Sequence, residues 1–229
     1  MLAHRPARAL MAAVLLCCAS MACIARDYAT DDGRSISHVN SGIDLAAGSV
    51  AGDLETVNGG ISIGDNSQVG AIETVNGGFT LGDSVRIESL EGVNGGIKAG
   101  RELRIERGIE TVNGGIELGS GAEIGGGIET VNSAIVLDHA RIGGSVSFAS
   151  GELDTGTDTR IDGDIHVEKA NGWHRKQSRK PRVVIGPQSV VRGSIVLEQE
   201  TELWVHDSAT VGSVQGGNAQ RYSGSAPRS

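Results

Sequence analysis

At 229 residues, with 35 glycines, 3% aromatic and 38% hydrophobic residues, the chain has room for one or two domains and is too apolar for a disordered polymer. Its formal charge of -8 excludes nucleic-acid binding through the general field of the protein.

Residues 1–25 read as a secretory signal. His4, Arg5 and Arg8 give a basic start, "ALMAAVLLCCASMA" gives a short apolar core, and small residues offer cleavage after Ala25 or Ala22. The apolar run is too short to span a bilayer, and no later stretch is apolar enough, so no transmembrane segment is expected. The cysteines Cys17, Cys18 and Cys23 all fall in this leader, so cleavage after Ala25 leaves a mature chain without thiol or disulfide chemistry. The stretch "SMAC" at 20–23 resembles a bacterial lipobox, which implies lipidation of Cys23 as the alternative to simple cleavage. The expected location is the periplasm or outer envelope. Residues 26–38 follow as an N-terminal cap or linker.

From residue 39 the chain repeats. "ETVNGGI" at 55–61 recurs as "ETVNGGF" at 73–79, "EGVNGGI" at 91–97, "ETVNGGI" at 110–116 and "ETVNSAI" at 129–135. The Val-Asn pairs starting at Val39, Val57, Val75, Val93, Val112 and Val131 are 18, 18, 18, 19 and 19 residues apart. Within a period, aliphatics fall six apart (Val57, Ile63, Val69, Val75), as three six-residue sides of a coil require. Helical spacing is absent, and glycines and β-branched residues oppose helix. A fixed period of this length denotes a solenoid. The expected fold is all-β: a single-stranded parallel β-helix of triangular section.

A second motif carries the period onward through "IERGIET" (105–111), "IGGGIET" (124–130), "IGGSVSF" (142–148), "IDGDIHV" (161–167) and "VRGSIVL" (191–197), with steps of 19, 18, 19 and 30. The solenoid therefore covers 39–214, with an inserted basic loop at 169–182 and a flexible tail at 215–229. Nine or ten coils at ~4.8 Å make a rod of roughly 45 Å.

Strand alternation assigns the columns. Leu54, Ile72, Leu90, Ile109 and Ile128 face the core, as do Thr56, Thr74, Thr111 and Thr130, whose column continues as Phe148, Val167 and Leu197. Glu55, Glu73, Glu91, Glu110 and Glu129 face out, and so do Val57, Val75, Val93, Val112 and Val131; together they form a candidate interaction stripe. The same alternation points Asn58, Asn76, Asn94, Asn113 and Asn132 inward as a structural amide ladder.

The segments "IGDNSQVG" (63–70), "IGPQSVVRG" (185–193) and "VHDSATVG" (205–212) resemble the hexapeptide repeats of left-handed β-helices. "VRGSIVLE" and "RIDGDIHVE" resemble coils of bactofilins, the polymer-forming bacterial β-helix family. The hexapeptide likeness implies a left-handed coil and the bactofilin likeness a right-handed one, the latter favoured.

Three functional readings follow. Adjacent glutamates ~4.8 Å apart repel by roughly 1 kcal/mol per pair at the dielectric of water, so the stripe suits a solvated face, or a basic partner or second copy. The insertion "KANGWHRKQSRKPR" carries Trp173, Arg175, Lys176, Arg179 and Lys180 and suits an anionic envelope polymer or lipid headgroup. The hexapeptide likeness also implies acyltransfer with a histidine base, but His38, His139, His166, His174 and His206 share no column. No Ser/His/Asp grouping, metal-spaced set or phosphate loop is present, so neither catalytic residue, metal nor cofactor is expected. The sequence points to a non-catalytic exported solenoid, structural, adhesive or polymer-forming, that associates with itself end to end or laterally. The alternative is an envelope-binding module.

Overall fold

A computed structural model of the chain describes residues 33–169 and 179–227. Twenty-five short strands and no helix make up these residues, joined in one sheet whose strand pairs are all parallel. The sheet is wound into a β-solenoid of about ten coils, each with three sides.

The register defines the sides. On side 1, Ile36, Leu54, Ile72, Leu90, Ile109, Ile128, Val146, Ile165, Ile195 and Val214 stack rung upon rung. On side 2 the stack is Ile43, Ile61, Phe79, Ile97, Ile116, Ile135, Leu153, Val183, Leu203 and Ala219. Side 3 contributes Val69, Ile87, Ile105, Ile124, Ile142, Ile161, Val191 and Val211. These columns converge on one continuous core, and almost every member between the end rungs is fully buried. Period-two alternation within each side is what puts them there.

The corners are built from local chemistry. Between sides 2 and 3, Asn66, Ser84, Glu102, His139, Asp158 and Gln188 have φ of 50–58°, and Gly48 and Gly121 occupy the same column with φ of 75° and 82°. A left-handed residue in each of these coils reverses the chain there. Beside this column, the Asp65 carboxylate accepts from the Asp83 N–H at 2.8 Å, and the Asp83 carboxylate accepts from the Arg101 N–H at 2.7 Å.

The corner between sides 1 and 2 is the Asn-Gly-Gly segment. Here the first glycine is dictated by close approach: a Cβ at Gly77 would lie 1.9 Å from the Gly59 carbonyl oxygen. At the second glycine a Cβ on Gly115 would meet nothing nearer than 3.7 Å, so the next coil accommodates Ala134 in that column.

This corner corrects the inward assignment of the asparagines. The chain bends at Val57, so alternation stops after Thr56 and two successive residues face outward: the valines of this column are half-buried or, at Val131, 36% exposed, and all five asparagines are exposed. The threonines remain inside, at 1–4% exposure for Thr56, Thr74, Thr111 and Thr130.

The stack also extends further than the repeat motif. Ile36–His38 is already a strand of side 1, so part of the expected linker belongs to the first rung. Val214–Gln215 and Ala219–Tyr222 form a last rung that runs from the expected end of the solenoid into the expected tail. The insertion opens at the same corner as Asn-Gly-Gly, between Val167 and Arg182, and leaves the rungs on either side in register. Gln199 Nε2 closes its base by donating to the Glu168 carbonyl at 2.7 Å and to that of Ala149 at 2.5 Å.

Candidate functional site

The outer surface of side 1 and its corner hold the repeated outward residues. Glu55, Glu73 and Glu91 are half-buried, while Glu110 and Glu129 are exposed. Register places each beside the next. Burial pushes the Glu73 carboxyl above its ordinary value, with further upward push from Glu55 and Asp53. Burial likewise raises Glu91, with Glu73 and Glu110 adding to it and Arg107 opposing. The stripe is thus an acid ladder whose central carboxylates repel one another, relieved only in part by Arg107.

The valines beside it do not make a broad apolar strip. The hollow they line with Glu55, Glu73, Glu91 and Gly92 holds about 10 Å³, no more than the ~10–15 Å³ that one water needs. The hollow is therefore too small to hold an organic ligand.

Next to the valines runs the asparagine ladder. Asn58 Nδ2 donates to Asn40 Oδ1 at 3.0 Å, Asn76 to Asn58 at 3.0 Å, Asn94 to Asn76 at 3.1 Å and Asn113 to Asn94 at 3.1 Å. The ladder stops there: Asn132 Oδ1 accepts from Ser150 Oγ at 3.1 Å, and no hydrogen bond joins the Asn113 and Asn132 side chains.

The gap coincides with a change of corner from Asn-Gly-Gly to Asn-Ser-Ala. Ser133 turns inward, 4% exposed, and its Oγ lies 2.5 Å from Thr130 Oγ1.

A fourth element escaped the sequence reading. On side 3, Arg86, Arg104, Arg141 and Arg160 occupy one outward column, interrupted by Glu123. Their 18–19-residue spacing was the available signal. Two of them are neutralised locally: Arg104 lies 3.6 Å from Glu123, and Arg160 lies 2.8 Å from Asp162, which Arg192, outside this column, also approaches at 3.0 Å. A shallow open depression of about 660 Å³ also runs along side 2, edged by Thr80, Lys98, Glu117 and Val136.

Of the basic insertion, Trp173, Arg175 and Lys176 lie outside the described residues, as does Cys23. Arg179 and Lys180 stand at its base. Lys180 Nζ lies 2.6 Å from Glu200 Oε1, and Arg182 Nη1 lies 2.9 Å from Glu152 Oε1. Two cations of the segment are therefore engaged by carboxylates of the solenoid.

The described histidines remain dispersed. His38 Nδ1 lies 2.8 Å from Ser41 Oγ, His139 lies 2.9 Å from Asp138, His166 lies 3.6 Å from Asp164, and His206 Nδ1 lies 2.8 Å from Ser208 Oγ. Among the described residues, no three metal-ligating side chains converge and no helix is long and apolar enough to cross a membrane.

The last rung differs from all others. Leu203 pairs with Ala219 after 16 residues, Gly216 follows in the column of Phe148, Val167 and Leu197, and Arg221 follows Ile185 and Val205. Arg221 Nη1 donates to the His206 carbonyl at 3.2 Å. The Tyr222 ring stands edge-on to His206 at 5.0 Å, and its hydroxyl donates to the Ile185 carbonyl two rungs back at 3.4 Å. Arg221 is exposed although it pairs with the buried Val205, so a charge stands at the end of this interior column, while the buried Tyr222 folds back along the two preceding rungs.

Compared with known proteins, the chain matches no family model, no curated protein and no solved structure.

Proposed function

We propose that the protein is an exported, non-catalytic β-solenoid serving as a structural or adhesive component of the cell envelope, in which copies associate through their sides. The observation that carries this reading is the outward Glu-Val-Asn face, repeated in register over five rungs on a rigid stack. A face repeating every ~4.8 Å suits extended, multivalent contact with a second copy. The exposed Arg221 in the last rung sets a charge where an end-to-end contact would stack, which favours lateral assembly.

Sedimentation of the mature chain tests the assembly. Species should grow with concentration, and more readily as added salt screens the glutamates; a monomer at every concentration and ionic strength overturns it. Cell fractionation with determination of the mature N-terminus tests export. A start at Arg26 supports a free periplasmic protein, lipidated Cys23 supports an anchored one, and an intact Met1 in the cytoplasm defeats the reading.

The insertion supports a second reading, an envelope-binding module, because the solenoid carries it without any shift of register. Neutralising Arg175, Lys176, Arg179 and Lys180 should weaken retention by purified cell envelope; unchanged retention disposes of it.

A further inference from the structure

Four exposed Asn-Gly pairs lie in one column: Asn58-Gly59, Asn76-Gly77, Asn94-Gly95 and Asn113-Gly114. Asn-Gly is the dipeptide in which the side-chain amide is most open to attack by the following backbone nitrogen, because glycine has no Cβ to obstruct it. The reaction requires the amide and that nitrogen to leave their hydrogen bonds and swing together. How tightly each pair is held therefore decides its reactivity.

Three of the pairs are held at both ends. The amides of Asn58, Asn76 and Asn94 each donate to one neighbour and accept from the other, at 3.0–3.1 Å. The following N–H groups are bound as well: Gly59 to the Asn76 carbonyl at 3.0 Å, Gly77 to that of Asn94 at 2.9 Å and Gly95 to that of Asn113 at 3.0 Å.

Asn113-Gly114 is different on both counts. The Asn113 amide donates to Asn94, but its oxygen receives nothing from Asn132. The Gly114 N–H reaches the Asn132 carbonyl only at 3.4 Å. Both losses fall where Gly-Gly is replaced by Ser133-Ala134 in the following coil and Ser133 turns inward to Thr130.

We infer that Asn113-Gly114 is a site of spontaneous covalent modification: deamidation through a succinimide. The Gly114 nitrogen forms a bond to Asn113 Cγ, the Cγ–Nδ2 bond breaks, and ammonia leaves carrying the proton displaced from Gly114. Water then opens the ring at either carbonyl, giving aspartate or isoaspartate. No oxidant or further reagent takes part. The product loses the donor to Asn94 and adds a carboxylate to the strand that carries Glu110, and the isoaspartyl form also lengthens the backbone at a corner where glycine packs against carbonyl.

The test is peptide mapping by mass spectrometry of the purified mature chain, incubated at mildly alkaline pH folded and in concentrated urea. In urea the four pairs should react at similar rates. In the folded chain Asn113 should react faster than Asn58, Asn76 or Asn94 by roughly fivefold or more, the factor one net hydrogen bond supplies. The double variant S133G/A134G, which extends the Asn-Gly-Gly corner by one coil, should bring Asn113 down to the level of the other three. Equal folded rates among the four pairs, a faster reaction at Asn58, Asn76 or Asn94, or no reaction at Asn113 while the urea sample reacts would each overturn the inference. Should the double variant not fold, the comparison of the four pairs within the unaltered chain decides alone.

Discussion

At the scale of the residue, the departures from the repeat are the informative positions. "EGVNGGI" puts Gly92 where the neighbouring coils have threonine, and "ETVNGGF" puts Phe79 where they have isoleucine. These are one event, since a Cβ at Gly92 would lie 3.0 Å from Phe79 Cε2. Gly92→Thr should cost about 1–3 kcal/mol by overpacking, and Phe79→Ile in the same chain should recover much of it; a double-mutant cycle in urea denaturation reads the coupling. Thr111 offers a second case. Its Oγ1 is buried without a partner, whereas Thr56 Oγ1 donates to the Ser41 carbonyl at 3.0 Å. Thr111→Val should be neutral or stabilising by about 1 kcal/mol, and Thr56→Val should be destabilising by about as much. Equal losses in thermal melts would refute the distinction. The pairing of Phe79 with Gly92 was not readable from the sequence, because the two stand on different sides and meet only across the interior.

At the scale of the element, the strands were legible and the corners were not. Alternation within a side needs only the period of two, so the leucine, isoleucine and threonine columns followed from spacing. The direction of the asparagines depended on where the chain bends, and a bend at Val57 rather than after Asn58 reverses it. The acid column carries its own prediction. Glu73 and Glu91 are raised above their unfolded values, so stability is greatest when they are protonated and declines as pH rises through their folded pKa values. Denaturation midpoints should therefore improve on mild acidification from neutrality, until the carboxylates with lowered values, such as Asp83 bound to Arg101, begin to protonate. Glu73→Gln and Glu91→Gln should each stabilise the chain at neutral pH by about half a kcal/mol, the scale of partly screened charges, and should flatten that pH dependence. On the left-handed corner, Gln188 at φ 58° bears strain that glycine lacks, and Gln188→Gly should raise stability by up to about 1 kcal/mol.

At the scale of the whole molecule, the limits of the stack were the least legible part, because the last rung abandons the period that revealed the others. Arg221 follows no repeat; its place in an interior column emerges only from its pairing with Val205. If it acts as a stopper, Arg221→Leu should leave an apolar, unsatisfied edge, and sedimentation should show concentration-dependent growth beyond that of the parent chain. An unchanged profile would show that Arg221 does not limit association at this end. The inserted segment has a wider meaning for such a stack. Val167 and Leu197 are 30 residues apart in sequence yet occupy adjacent rungs, like residues 18 or 19 apart elsewhere. Chain length is thus a local variable at this corner, and neighbouring coils do not register it. The solenoid behaves as a rack with numbered slots: peptides grafted into successive Gly-Gly corners would be displayed in a line at intervals of ~4.8 Å, in an order written directly by the gene.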